Sequence, residues 1–480
     1  MEGGKMEIFE FGSVQQSNDA PPQSRRAPQE RSAQNRRNAA PRRRNSSPQN
    51  RRTAQVRQGS SHNAQKRQPQ RTQAAVRNKP QSANGETAVK KNRLGLSKAE
   101  RPDMKSFVNF SIPQKFDFSF FIIIIILLAF GLVMLFSASY VAAKTQEDDS
   151  LYFIKRQLIF TLIGFAAMIA LSFIDYHLYM HKFILTIAVG GSILLMLLVM
   201  VMGVTVGGAE RWIEIFGIQF QPSEILKVVT IMVIAEFMHR NYDKRGDFWH
   251  GFVPVCIRFG AACLLVIMQP HLSCTVIILF TSICMLMIGG TSWRFMALIG
   301  VALLVGGFLI VKVFPEIGFD YVTTRLLSWE NPEADILDKT HQTYQSLVTI
   351  GSGGMFGLGL GNSRQKYGYL PVTQNDFIFS VICEELGFVG AMAVILLFIM
   401  FLFRGFYIAS AAPDKFGMLL CAGIVIQISI QALLNIAVVS NAVPNTGISL
   451  PFISYGGTAL IVQLAEMGIV LNISRKAAMD

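Results

Sequence analysis

The residues best suited to chemistry gather between positions 321 and 380. Arg325, Glu333, Asp335, Asp338, Lys339, Arg364, Lys366 and Asp376 stand there beside the glycine run IGSGGMFGLGLG, with strongly apolar stretches on either side. Ions in lipid are costly, so this segment is expected to form a large loop on one face of a membrane, and a loop of that length is more often functional than linking. Asp335, with Glu333 and Asp338 as neighbours, offers a carboxylate that partial burial would turn into a general base. Residue types alone are equally consistent with a solvated acidic patch. The glycine run is too poor a helix former for a helix interior. It suits either a re-entrant bend whose amides meet phosphate or a surface for close helix packing. With no strand before it and no lysine-serine ending, it does not read as a nucleotide loop.

A second set of ionisable residues falls inside apolar stretches: Glu224, Lys227, Glu236, Arg258, Glu384, Glu385 and Glu466. Charges at membrane depth are functional candidates by default. In PSEILK, Pro222 suits a helix start and places Glu224 and Lys227 three apart on one face, where they can pair. The pair serves either to hold two helices together or to face a hydrated cavity that takes an anionic headgroup. Glu384 and Glu385 are adjacent, about 100° apart on a helix, so one is expected to face a polar interior and the other the interface. Near the end, NAVPNTGISLPFISYGG offers Asn441, Asn445, Thr446, Ser449, Ser454 and Tyr455 for a polar cavity entrance, although turn chemistry explains its prolines and glycines as well.

The elements that must position these groups are membrane helices. At 480 residues, 51% hydrophobic and 16% charged, with mean hydropathy +0.38, the chain is too apolar for a soluble protein and too long for one anchor. About 20 apolar residues make a span. Such stretches occur at 118–140, 157–174, 182–203, 222–238, 252–269, 272–290, 294–314, 376–403, 416–440 and 450–473. The expected fold is therefore all-α and polytopic, with about ten transmembrane helices and a large extracytoplasmic loop, 315–375, between helices seven and eight. The net charge of +13 belongs to the N-terminal segment: residues 1–110 hold 23 Lys and Arg against 8 Asp and Glu, leaving 21 against 23 for the rest. Residues 1–112 lack a sustained apolar period and are expected to be a disordered basic tail. Positive charge before the first span puts the tail in the cytoplasm, and an even span count returns the C-terminus there. The tail serves as a topology determinant, or docks on anionic lipid or an acidic cytosolic partner. Scarce aromatics argue against nucleic acid. The six cysteines read as buried hydrophobes, and His177 and His181 as a solvated membrane-edge pair rather than a metal site.

Several motifs occur in order through residues 113–476: GGAERW and FQPSEILK, QPHLSCT, NPEAD, YQSLVTIGSGGMFGLGLGNSRQKYGYLP, DFIFSVICEELGFVG and NTGISLPFISYGGTALI. By these the chain resembles the SEDS family, the FtsW/RodA/SpoVE group of bacterial cell-wall polymerases, most of all its division and sporulation branch. The resemblance implies a ten-helix fold in the cytoplasmic membrane and a peptidoglycan glycosyltransferase that polymerises lipid II, an undecaprenyl-pyrophosphate disaccharide-pentapeptide, on the outer face. It also implies a class B penicillin-binding protein as cross-linking partner and other divisome proteins around it. The family's essential carboxylate matches Asp335. Candidate substrate contacts are Arg211, Glu224, Lys227, Arg325, Gln345, Ser346, Arg364, Lys366 and Ser454. Of the basic groups, Arg211 and Lys366 rank first for the departing pyrophosphate, each with a membrane-rim role as the alternative, and a Mg or Mn ion can assist without a dedicated protein cage. The chain departs from the family pattern at Gly207, His271, Ile336, His341, Val372, Gln374 and Asn445. Two other functions fit the same residues: a flippase for the lipid-linked precursor and a non-catalytic division scaffold.

Overall fold

Helices account for most of the described residues, because nearly every apolar stretch is long enough to satisfy its own backbone only as a helix when surrounded by lipid. The computed structural model describes residues 116–477 apart from 207–208, 216–217, 270, 313–324, 327, 337–339 and 372. The basic tail, Gly207, Val372 and Asp338 therefore lie outside the described residues. The helices are α1 Phe118–Glu147, α2 Tyr152–Phe173, α3 Lys182–Met202, α4 Pro222–Arg240, α5 Val253–Ile267, α6 Leu272–Ile288, α7 Trp293–Lys312, α8 His341–Ser352, α9 Ile378–Ser410, α10 Lys415–Val439 and α11 Gly457–Lys476. Among the described residues seven helical runs are long and apolar enough to cross a membrane: α1, α2, α3, Phe248–Ile267 (α5 with the π-turn before it), α9, α10 and α11. The chain is an integral membrane protein.

Each expected span coincides with a helix, with two differences. The last helix starts at Gly457 rather than 450, because residues 450–456 fold as a turn that Ser454 caps: its hydroxyl accepts from the Leu450 N–H at 2.8 Å. The long segment between α7 and α9 contains a helix of its own, α8.

Charged α4 is the centre of the bundle. From Pro222 to Met238 nearly all its side chains are buried, so it meets protein on all sides, and its ions find partners there instead of lipid. Around it, helices approach closely through glycines. A Cβ at Gly468 of α11 would lie 2.4 Å from the Met168 carbonyl oxygen of α2, which is how small residues let membrane helices pack without a hydrophobic drive between them; one at Gly131 of α1 would lie 2.5 Å from the Phe452 carbonyl oxygen in the 450–456 turn. At one end of the bundle Asp117 ties three helices together. Its carboxylate caps α1 through the Phe120 N–H (2.8 Å) and binds Arg404 of α9 (2.7 Å), while its own N–H donates to Ser474 of α11 (3.1 Å).

Sequence reasoning missed a small antiparallel sheet between α3 and α4. It runs β1 Val204–Val206, β2 Ala209–Ile215 and β3 Ile218–Phe220, in the order β1-β2-β3, with Val204 opposite Trp212 and Ile213 opposite Phe220. Alternation in AERWIEI was the signal available for it.

Candidate functional site

At the end of the bundle opposite Asp117 lies a cavity of about 260 Å³. Every wall comes from a different part of the chain. Strand β2 supplies Arg211 and Trp212; α4 supplies Glu224 and Lys227; His271, Ser273 and Cys274 come from the start of α6; Arg325 and Gln342 come from the segment between α7 and α9. Asn375 and Asp376 precede α9, Gln431 lies on α10, and residues 445–449 with Tyr455 close the remaining side. Many of the lining residues are polar, and they are mixed in charge.

Its groups are held in place. Lys227 Nζ lies 2.9 Å from Glu224 Oε1 and donates to Gln431 Oε1 at 2.9 Å; Gln431 in turn donates to the Ser449 carbonyl at 3.2 Å. The helical pairing of Glu224 and Lys227 is thus present, and the pair both links α4 to α10 and faces the hollow. Arg325 donates to the Asn445 carbonyl (3.0 Å), and Asn445 to Gln342 Oε1 (3.4 Å). Asn435 of α10 pins two loops, donating to the carbonyls of Asp376 (2.7 Å) and Ile448 (2.6 Å). His271 is buried; burial first, then Arg211 and Lys227, pulls its imidazole down to about 3, so it is neutral at physiological pH. Burial pushes the Asp376 carboxyl up to about 6 against the opposing pull of Arg325 and Arg211.

Of the residues expected at the site, Arg211, Glu224, Lys227 and Arg325 come together in this cavity. Asp335 is not among the lining residues. It sits half-buried in the turn ahead of α8, where its N–H donates to Thr340 Oγ1 (3.2 Å) and its carbonyl accepts the Thr340 N–H (3.1 Å). That turn leads into α8, whose Gln342 is part of the wall.

Other expected contacts are committed elsewhere. Ser346 is fully buried in packing, within 2.8 Å of the Ser380 hydroxyl and donating to the Val439 carbonyl at 2.7 Å. Gln345 lies outside the cavity wall, its carbonyl accepting from Thr349 Oγ1. Ser454 caps its turn and donates to the Asn375 carbonyl at 2.6 Å. Lys366, ranked first with Arg211 for an anion, is instead the buried partner of Glu385, its Nζ 3.1 Å from Oε1 and 2.6 Å from the Gly361 carbonyl. Arg364 is exposed and outside the wall, and its backbone N–H donates to Glu384 Oε1 at 3.0 Å.

Both Glu384 and Glu385 are therefore buried and partnered, against the expectation that one would face the interface. Ser137 and the Ser363 N–H complete the shell of Glu385 at 2.7 and 3.3 Å. The loop reaches them because α9 breaks at Gly387, which has φ +67. There the glycine run lies along the helix backbone: Leu358 and Gly359 donate to the carbonyls of Glu384 and Glu385, and Phe388 donates to that of Gly354, all at 2.9 Å. A Cβ at Gly353 would lie 1.9 Å from the Cys383 carbonyl oxygen. Of the two uses open to the glycines, close packing is the one the structure shows.

Asn435 and Gln431 went unmarked in the sequence, and Asp376 stood there only as one of the charged residues of 321–380, with no role of its own. Only the fold carries Asp376 and Gln431 to one hollow and Asn435 to the loops that line it. Among the described residues no three His, Cys, Asp or Glu side chains gather as a metal site, and Glu224 is already engaged by Lys227, so the lining holds no ready cation cage.

Residues 118–479 match the family described as "Cell cycle protein", that of FtsW, RodA and SpoVE. The chain is 39% identical over 362 residues to Stage V sporulation protein E of Bacillus subtilis (strain 168), covering 75% of this chain and 97% of that one. It is 37% identical over 365 residues to a probable peptidoglycan glycosyltransferase FtsW of Geobacter sp. (strain M18), covering 76% and 98%. Among solved structures, a chain from a peptidoglycan synthase complex studied for how it coordinates polymerization and crosslinking superposes with a TM-score of 0.62 at 26% identity, covering 76% of this chain and 99% of that one.

Proposed function

The chain belongs to the FtsW, RodA and SpoVE family of cell cycle proteins, and from that premise we propose that it is a peptidoglycan glycosyltransferase of division or sporulation that polymerises lipid II. The observation that carries the proposal is the cavity, in which Arg211, Lys227 and Arg325 converge at one end of a membrane bundle. A lipid-linked pyrophosphate needs this arrangement: cations for its head, with a greasy bundle beside them for its tail.

In the proposed reaction the acceptor hydroxyl attacks the anomeric carbon of the donor sugar. A new C–O bond forms with inversion as the bond from that carbon to the pyrophosphate oxygen breaks, and the hydroxyl proton passes to Asp335. Arg211 and Arg325 stabilise the charge gathering on the leaving pyrophosphate, an effect that grows in a water-poor site. No step is assigned to magnesium or manganese; either ion would be held by the substrate's own phosphates.

The cavity end is assigned to the outer face. The end carrying Asp117, Arg404 and Ser474 is assigned to the cytoplasm of a bacterial cell, with both termini, in keeping with the Lys and Arg of the short loops there. The chain's likeness to a member of a synthase complex supports a class B penicillin-binding protein as partner for cross-linking. Anionic lipid or an acidic cytosolic protein is the partner proposed for the basic tail.

Purified full-length protein given labelled lipid II tests this reading against that of a flippase. Glycan polymer of growing length is expected. Movement of label between leaflets with no polymer would overturn it.

A further inference from the structure

We infer that Asp376 is the cavity's exchangeable counter-ion: its carboxylate balances Arg211 and Arg325 before substrate binds, and a pyrophosphate diester entering the cavity makes it take up a proton. The inference rests on the reading of the cavity given above and deepens it.

Position comes from the backbone. Asp376 lines the cavity immediately ahead of α9, and Asn435 holds its carbonyl at 2.7 Å. From the opposite loop Gly447, at φ +65, comes so near that a Cβ there would lie 3.3 Å from Asp376 Oδ2. The carboxylate is thus kept in the cavity wall, where Arg325 and Arg211 are the cations acting on it.

The charges around it can be set out by element. Strand β2 brings Arg211, α4 brings Lys227 and Glu224, the outer loop brings Arg325, and the turn before α6 brings His271, which is neutral. The thiol of Cys274 and the phenol of Tyr455 also face the cavity; neither ionises near neutral pH. Among the described residues three cations therefore oppose two carboxylates, a surplus of one positive charge, whereas a pyrophosphate diester carries two negative charges. Glu224 is held by Lys227 at 2.9 Å, so Asp376 is the carboxylate able to change its charge. Once protonated it leaves a surplus of two, which matches the ligand. Burial has already brought its carboxyl to about 6, and an anion arriving nearby raises it further.

The sign follows from linkage. Affinity for the anion is constant below about pH 6, falls as pH rises above it, and levels off once the pKa of the bound state is passed. The probe is a lipid-linked pyrophosphate diester blocked at the acceptor hydroxyl, whose own charge is fixed across this range.

Binding to the full-length protein in detergent is measured from pH 5.5 to 8.5. For the wild type, Kd is expected to rise up to about tenfold per pH unit above pH 6, the limit for one linked proton. Calorimetry of the wild type in buffers of differing ionisation enthalpy should show uptake approaching one proton at neutral pH. Asp376→Asn is expected to bind more tightly than wild type at pH 8, with Kd independent of pH. Pyrophosphate binding by the wild type without proton uptake, or an Asp376→Asn variant that keeps the pH slope, overturns the inference and leaves the proposed function standing. Failure of the wild type to bind the probe at any pH overturns both.

Discussion

The Glu224–Lys227 pair joins residues three apart on α4. Both side chains are buried, Lys227 is shared with Gln431, and the pair opens onto the cavity instead of being sealed in the bundle. Removing one partner of a buried pair leaves an uncompensated charge, at a cost of about 3–5 kcal/mol. Lys227→Met is therefore expected to lower the melting temperature in detergent markedly, and the double variant Glu224→Gln/Lys227→Met to recover most of the loss. A single variant that melts with the wild type would show that the pair does not hold α4 to α10. This contact was legible in the sequence because three-residue spacing on a helix brings the two together whatever the tertiary fold. Lys366 was not. In the sequence it is one more cation in an outer loop; what directs it inward is Glu385, nineteen positions away, after the glycine loop has folded back on α9.

At the scale of elements, two short segments hold the helices in register from opposite ends. On the cavity side the glycine run docks on the broken turn of α9. On the other side the 3-10 turn Tyr176–Met180 joins α2 and α3 to the start of α10. His177 lies 2.7 Å from Asp175 and 3.3 Å from Asp414, the residue that caps α10 through the Gly417 N–H; Tyr176 also bonds to Asp414, and Lys476 pairs with Asp175. The carboxylate of Asp175, then that of Asp414, holds the His177 imidazolium up to about 9, and both carboxyls are pulled well below their usual range. A raised histidine pKa stabilises the fold fully below the unfolded value of about 6.5 and loses that contribution as pH climbs. The melting temperature is expected to decline between about pH 6.5 and pH 9, and His177→Gln to lack this decline. Equal slopes for the two proteins would contradict the assignment. Sequence reasoning had His177 beside His181 as a solvated membrane-edge pair, because the partner at Asp414 is supplied by the start of a helix far along the chain.

At the scale of the whole molecule, what could be read in advance was the order and nearly the bounds of the helices, since a lipid-facing helix announces itself by an unbroken apolar run. α4 was harder to bound. Its charges interrupt the run, and they are tolerated because protein surrounds it on all sides. The sheet after α3 is short enough to be passed over among long apolar helices. The cavity was only half legible: Arg211, Glu224, Lys227 and Arg325 were named from charge and motif, whereas Asp376, Gln431 and Asn435 matter through contacts between separate segments, Asn435 with Asp376 and Gln431 with Lys227.

The architecture thus gathers cations at one end of a membrane bundle and carries Asp335 on the turn that leads into the cavity wall. The most direct test of the central claim is polymer formation from lipid II by Asp335→Asn beside wild type, with binding of the lipid measured on the same samples. The account predicts that the variant still binds lipid II and forms no polymer. Polymer at the wild-type rate from the variant would contradict it.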